Sequence, residues 1–237
     1  MNKQSNTYTI IYIIVLVVVV GTALALTSIS LKDRQTANAN ADKMRQILAS
    51  VGIEAPAGET AAVFDSTVTS QIVVDINGTA VDTSVKAFDV DVARQSKETA
   101  AERLLPVYVA TLPDGATKYI LPLYGAGLWG PIWGYIAVDA DGSTVYGAYF
   151  AHQGETPGLG AEIEKPAFSD RFKGKRLMLD GHFAPIAVVK AGMPAPEGGD
   201  AVDGVSGGTI TSKGVGAMID NCLAPYAAFL SDLHNNK

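Results

Sequence analysis

The sequence predicts an α+β fold: one N-terminal transmembrane helix followed by an antiparallel-sheet domain covered by helices. Three observations predict it. Tyr8–Leu31 is almost wholly apolar, the apolar period becomes two between residues 71 and 150, and the chain closes on a stripe of period three and four.

No residue between Lys3 and Lys32 is charged. As a helix rising about 1.5 Å per residue, Tyr8–Leu31 spans a hydrocarbon core of roughly 30 Å. Ala23-Leu24-Ala25 imitates a signal-cleavage site. The apolar run outlasts an ordinary h-region, however, and the n-region carries only Lys3, which favours a retained anchor behind a short tail, residues 1–7. Lys32, Arg34, Lys43 and Arg45 outweigh Lys3, so charge alone places the following domain in the cytoplasm. Within a juxtamembrane segment 32–55, Asp33–Val51 reads as a continuing helix with Met44, Ile47, Leu48 and Val51 on one face. Pro56-Ala-Gly-Glu59 breaks it, and Glu59–Thr67 is a further short helix at the start of a domain spanning 56–237.

Ile72–Ile76 is a strand ending at Asn77-Gly78, a hairpin signal, with Thr79–Asp82 returning and Lys86–Val92 alternating in the same way. Pro106–Leu112 and Thr117–Tyr124 flank Pro113-Asp-Gly115. Trp133–Val138 and Thr144–Phe150 flank Asp139-Ala-Asp-Gly142. Pro185–Lys190 is a late strand, and Gly192–Asp203 a Pro/Gly/acidic connector. From Val215 the positions Met218, Ile219, Cys222, Tyr226, Phe229 and Leu230 mark a buried helical stripe.

A net charge of −6 with no basic stripe excludes a sequence-blind nucleic-acid binder. The single Cys222 has no intrachain partner and reads as a small core residue. No cluster has metal-ligand spacing, no serine sits on a strand–turn–helix elbow, and no dinucleotide fingerprint is present. No catalytic residue is assigned.

Three stretches are suited to a ligand. Gly125–Gly134 sets Trp129 and Trp133 among glycines, for stacking on a flat ligand or as core aromatics bounding a turn. His152–Ala161 offers Glu155, Thr156 and the amides around Leu159 to a polar edge, with His152 as a solvated loop histidine and Glu162, Glu164 and Lys165 as a solvated charged face. Asp203–Ser212 sets Ser206, Thr209, Thr211 and Ser212 among three glycines just before the last helix, where free amides and the helix dipole suit a phosphate. Taken alone, its plainer reading is an ordinary Thr/Ser helix cap.

Together the three loops carry a family resemblance. Asp203-Gly-Val-Ser-Gly-Gly-Thr209 resembles the D-G-x-[ST]-G-A-T signature at which a flavin transferase attaches FMN to threonine through a phosphoester. Gly127–Tyr135 and Gly154–Ile163 look like the other loops of such FMN-binding domains. With its one anchor helix, the chain resembles, over essentially its whole length, the C-subunit family of bacterial Na+-translocating NADH:quinone oxidoreductases (Na+-NQR). The G subunit of Rnf-type ferredoxin:NAD electron-transport complexes is the near alternative, and a cofactor-free membrane-anchored assembly module is a further one.

The resemblance implies an electron-transfer subunit with covalent FMN on Thr209, passing electrons from NADH towards ubiquinone in a sodium-exporting complex. Around the phosphoester it implies Ser206, Gly207, Gly208 and the helix-start hydroxyl Thr211, with Lys213 partly neutralising the phosphate. It sets Leu128, Trp129, Glu155, Thr156 and Leu159 against the flavin ring, and Asp203 before the transferase. Its implied partners are the other subunits, the transferase and the bacterial inner membrane, with the domain on the periplasmic face, opposite to the charge count. Gly208 departs from the signature's alanine, which loosens the loop.

Overall fold

A computed structural model describes residues 6–56 and 58–235; the remaining residues, and with them most of the expected 1–7 tail, lie outside the described residues. The chain divides into two units, Met1–Lys43 and Met44–Lys237. Helix α1 (Asn6–Ser50) runs unbroken through the apolar stretch and on into the juxtamembrane segment as far as Ser50. Its apolar window is long and uncharged enough to cross a membrane, and none of it is buried. Valine and isoleucine are modest helix formers in water, but in hydrocarbon a helix lets one segment satisfy all its own backbone groups.

The last two turns of α1 belong to the second unit, which therefore starts before the expected boundary at 56. Ile47, Leu48 and Val51 are buried there. A glycine stop ends the helix: Gly52 takes φ +72° and Ile53 N–H bonds Leu48 C=O at 3.1 Å. Then follow α2 (Thr60–Thr67), β1 (Val68–Val74), the single turn α3 (Val92–Gln95), β2 (Leu105–Thr111), β3 (Thr117–Ala126), β4 (Pro131–Asp139) and β5 (Val145–His152). Strands β1 to β5 form one antiparallel meander in sequence order. Beyond it lie α4 (Pro166–Ser169), the small hairpin β6 (Met178–Leu179) and β7 (His182–Phe183), then β8 (Ala187–Val189), β9 (Ala201–Asp203), α5 (Thr209–Leu223) and α6 (Ala227–Asn235).

Alternation sends successive residues to opposite faces of the sheet. Val107, Leu121, Leu123, Ile132, Ile136 and Phe150 face the larger core, with Val215, Met218, Ile219 and Leu223 of α5. Tyr108, Ala110, Ile120, Tyr135 and Ala137 face the other layer, with Ile47, Leu48 and Phe64 of α1 and α2. Both faces are thus covered. Cys222 is buried, and its thiol donates to Tyr124 C=O at 3.3 Å; burial pushes that thiol's pKa up, as suits a core residue.

The three expected turns form, with Gly78, Gly115 and Gly142 at φ +78°, +84° and +67°. Two expected strands do not. Thr79–Asp82 shrinks to an isolated bridge between Val74 and Ala80. Lys86–Val92 becomes a 3₁₀ turn over Ala87–Asp89 leading into α3, because Ala87 and Val90, three apart, are the buried pair rather than an alternating set. The late strand β8 pairs in parallel with β9, a crossover among otherwise antiparallel pairs, and it delivers the chain to α5.

Phe150, Phe168 and Phe172 form a closed triangle with ring centroids 5.0–5.5 Å apart, fixing the segment after β5 on the sheet. Phe172 is fully buried. Phe172→Ala should cost about 3–5 kcal/mol in denaturant unfolding; a cost below about 1 kcal/mol would show that the triangle is not a packed core.

Candidate functional site

The signature residues fold as a turn running straight into a helix. Gly208 N–H bonds Val205 C=O at 3.0 Å, and Gly207 holds φ +76°, a conformation open to glycine. Helix α5 then begins at Thr209 itself, two residues earlier than the expected start around Thr211 and Ser212. Its N-cap is Gly208, which has no side chain to offer. Its first intrahelical bond is Ser212 N–H to Gly208 C=O at 2.8 Å. The amides of Thr209, Ile210 and Thr211 therefore precede the ladder and have no intrahelical acceptor.

The neighbouring hydroxyls of the first turn are engaged elsewhere. Ser212 Oγ accepts from Val205 N–H at 2.9 Å, and the Thr211 hydroxyl donates to Glu155 Oε2 at 2.5 Å. The ordinary-cap reading thus fails. What remains is an exposed Thr209 at the positive end of a 15-residue helix. Lys213, also exposed, lies four residues on and so on the same helical face.

Glu155 ties this helix start to the other two loops. Gly127 N–H bonds Gly130 C=O at 2.8 Å, so Leu128 and Trp129 are the two tip residues of the β3–β4 hairpin. Trp129 N–H donates to Glu155 Oε1 at 2.8 Å. Burial works to raise the Glu155 pKa, but the Thr211 hydroxyl, the amides of Trp129 and Leu128, and His152 outweigh it, holding the carboxyl below its ordinary range. Glu155 is therefore a charged carboxylate at neutral pH, although only 4 % exposed.

Glycines allow the approach. A Cβ on Gly127 or Gly160 would strike the Glu155 carboxylate, one on Gly160 would also strike the Thr211 hydroxyl, and one on Gly214 of α5 would strike Ala126 C=O. A Cβ on Gly207 would meet Leu159 Cδ2 at 2.6 Å, so the tip of the second loop lies against the signature turn.

The structure thus brings together Leu128, Trp129, Glu155, Leu159, Gly207, Gly208, Thr209 and Thr211. Ser206 is exposed on the signature turn, and Thr156 uses its carbonyl to accept from Leu159 and Ala161 amides while its side chain is exposed. Asp203 stands apart. Its carboxylate accepts from Gly192 N–H at 3.2 Å, and Arg171 Nη1 grips its carbonyl at 2.6 Å. The two tryptophans divide: Trp129 is 69 % exposed, while Trp133 is half-buried and donates to Gln46 at 3.0 Å.

His152 is not the expected solvated loop residue. It is the last residue of β5, half-buried, and its Nδ1 accepts from Glu155 N–H at 3.1 Å. Ile210, which falls off the buried stripe, was legible only as that anomaly. Seven large apolar side chains of the second unit are exposed among the described residues, and Leu128, Trp129, Leu159 and Ile210 are four of them. Leu128 and Trp129 share the hairpin tip held by Glu155, Leu159 lies against Gly207, and Ile210 follows Thr209 in the first turn of α5. Free helix amides, an exposed hydroxyl and an apolar rim on glycine-bounded loops fit the phosphate and the flat ring of FMN.

A family model for the FMN-binding domain matches residues 127–224, a range that takes in all three loops. The chain is 36% identical over 194 residues to the C subunit of the Na(+)-translocating NADH-quinone reductase of Vibrio vulnificus strain YJ016, covering 76% of this chain and 75% of that one. Among solved structures, it is similar to the C subunit of the Na(+)-translocating NADH-quinone reductase from Parabacteroides distasonis (TM-score 0.77, 48% identity, 84% of this chain and 96% of that one). It is also similar to Shewanella oneidensis NqrC (TM-score 0.68, 26% identity, 84% and 99%).

Gly160→Ala should part the loop from α5 and cost about 1–3 kcal/mol in denaturant unfolding, because a buried carboxylate loses its hydroxyl partner. Gly208→Ala, whose Cβ would meet Val205 and Gly160 at 3.2–3.3 Å with φ −104°, should stay within about 1 kcal/mol of the parent. Equal stability of the two variants would contradict the Glu155 junction.

Proposed function

This chain belongs to the C-subunit family of the Na(+)-translocating NADH-quinone reductase, and we propose that it is the electron-transfer subunit, with FMN bound covalently to Thr209. The observation that carries this reading is an exposed hydroxyl at the first position of an uncapped helix. Thr209 Oγ1 forms the phosphoester. The amides of Thr209, Ile210 and Thr211, with the helix dipole, favour its negative charge by about 0.3–1 kcal/mol, and Lys213 adds a positive charge one turn on.

Leu128, Trp129, Leu159 and Ile210 supply apolar surface to the flavin ring, with Thr156 at its polar edge. Ser206 and the two glycines of the turn leave the hydroxyl open to a flavin transferase, for which Asp203 is a recognition point. The bound flavin supplies the electron chemistry; the protein sets its position and solvent access.

In such a complex, electrons pass from NADH towards ubiquinone with sodium export, and the other subunits are the partners. The apolar stretch between Lys3 and Lys32 holds no carboxylate, so the ion path is assigned to those other subunits. The anchor holds the domain at the inner membrane, on its periplasmic face. An impermeant thiol reagent should then label a cysteine placed at Asp141 in intact cells and spare one at Ser5; the reverse pattern contradicts this orientation.

Co-expressed with the transferase, the chain should run as a fluorescent yellow band on a denaturing gel, and Thr209→Ala should abolish it. Fluorescence persisting in Thr209→Ala overturns the attachment residue.

A further inference from the structure

Each oxygen of Glu155 is engaged by the chain's own donors. Oε1 holds Trp129 N–H at 2.8 Å, Oε2 holds the Thr211 hydroxyl at 2.5 Å, and the Leu128 amide adds a third donor. Among the described residues, no lysine or arginine forms an ion pair with it. The charged or titratable group beside it is His152, which accepts its backbone N–H and faces Glu164 at 3.7 Å.

The result is a buried negative charge held chiefly by dipoles, with His152 adding to them, between the loop tips that carry Leu128, Trp129 and Leu159 and the first turn of α5 that carries Ile210. Salt screens such a charge poorly, and its field reaches the adjacent site through protein rather than water.

We propose that Glu155 is a positioning residue that also lowers the redox potential of a flavin held at this site, its fixed buried charge opposing the negative charge that reduction adds. The inference rests on the reading that FMN is attached at Thr209. The electron comes from an external donor and leaves to an external acceptor; Glu155 exchanges neither electron nor proton. Removing the charge should raise the potential. Removing a dipole that offsets the charge should lower it.

The test is a spectroelectrochemical titration of the full flavin-loaded chain, with loading verified by intact mass. Glu155→Gln keeps the shape and one acceptor oxygen, which the Trp129 amide can retain, while its NH2 donates to a Thr211 hydroxyl turned to accept; it should raise the midpoint by about 30 mV, a tenfold shift in the two-electron equilibrium. Thr211→Val should lower the midpoint and Thr211→Ser should restore it, a pattern that a merely structural role does not produce. Lys213→Gln, at an exposed position, should give a shift that fades at high salt.

A fully loaded Glu155→Gln chain with the parent's potential overturns the proposal. If that variant does not fold, the Thr211 pair decides: an unmoved potential in loaded Thr211→Val overturns it equally. A parent chain without flavin mass would instead defeat the attachment reading on which the proposal rests.

Discussion

The Glu155 carboxylate is where three separately encoded loops become one site. A hairpin tip, the segment after an edge strand and the first turn of a helix are far apart in sequence. Their common point is a buried anion that accepts a backbone amide from the first and a hydroxyl from the third. Removing one partner of such a buried group leaves the other unsatisfied, at a cost of about 1–3 kcal/mol. The junction is therefore also a source of rigidity.

The sheet and its glycines make that junction reachable. The meander ends β3 and begins β4 at the same level as the end of β5, since Ile132 pairs with His152. Helix α5 crosses the same end, and Gly214 lets it press against Ala126. The parallel pair β8–β9 sets the entry of the signature turn, and Arg171 braces its first carbonyls. Positioned this way, the helix start has no cap of its own and is open to an external anion, the place we propose for the FMN phosphate. The same geometry that leaves three amides unpaired leaves Thr209 in solvent.

Much of this was legible in the sequence. The anchor helix, the turns at Gly78, Gly115 and Gly142, and the buried stripe of the last helix follow from periods and turn chemistry that act locally. Ala87 and Val90 misled because Phe88, Val90 and Val92 imitate alternation while the burial runs in threes. The junction itself was not legible, since its bonds join positions 26 and 56 residues apart. Glu155 therefore read as one more polar group for a ligand. His152 read as solvated because its strand pairing to Ile132 cannot be seen from its own neighbours. Thr209 was singled out by its place in a resembling motif, and the uncapped helix supplies an independent physical reason for the same residue.

The central claim is that the open helix start is occupied by a phosphate bonded to one hydroxyl. Mass spectrometry of the C-terminal peptide containing Thr209, isolated from the native host, tests it most directly. The account predicts a peptide heavier by FMN less one water, with fragmentation placing the addition on Thr209 rather than on Ser206, Thr211 or Ser212. An unmodified peptide, or the addition on another hydroxyl, would contradict it.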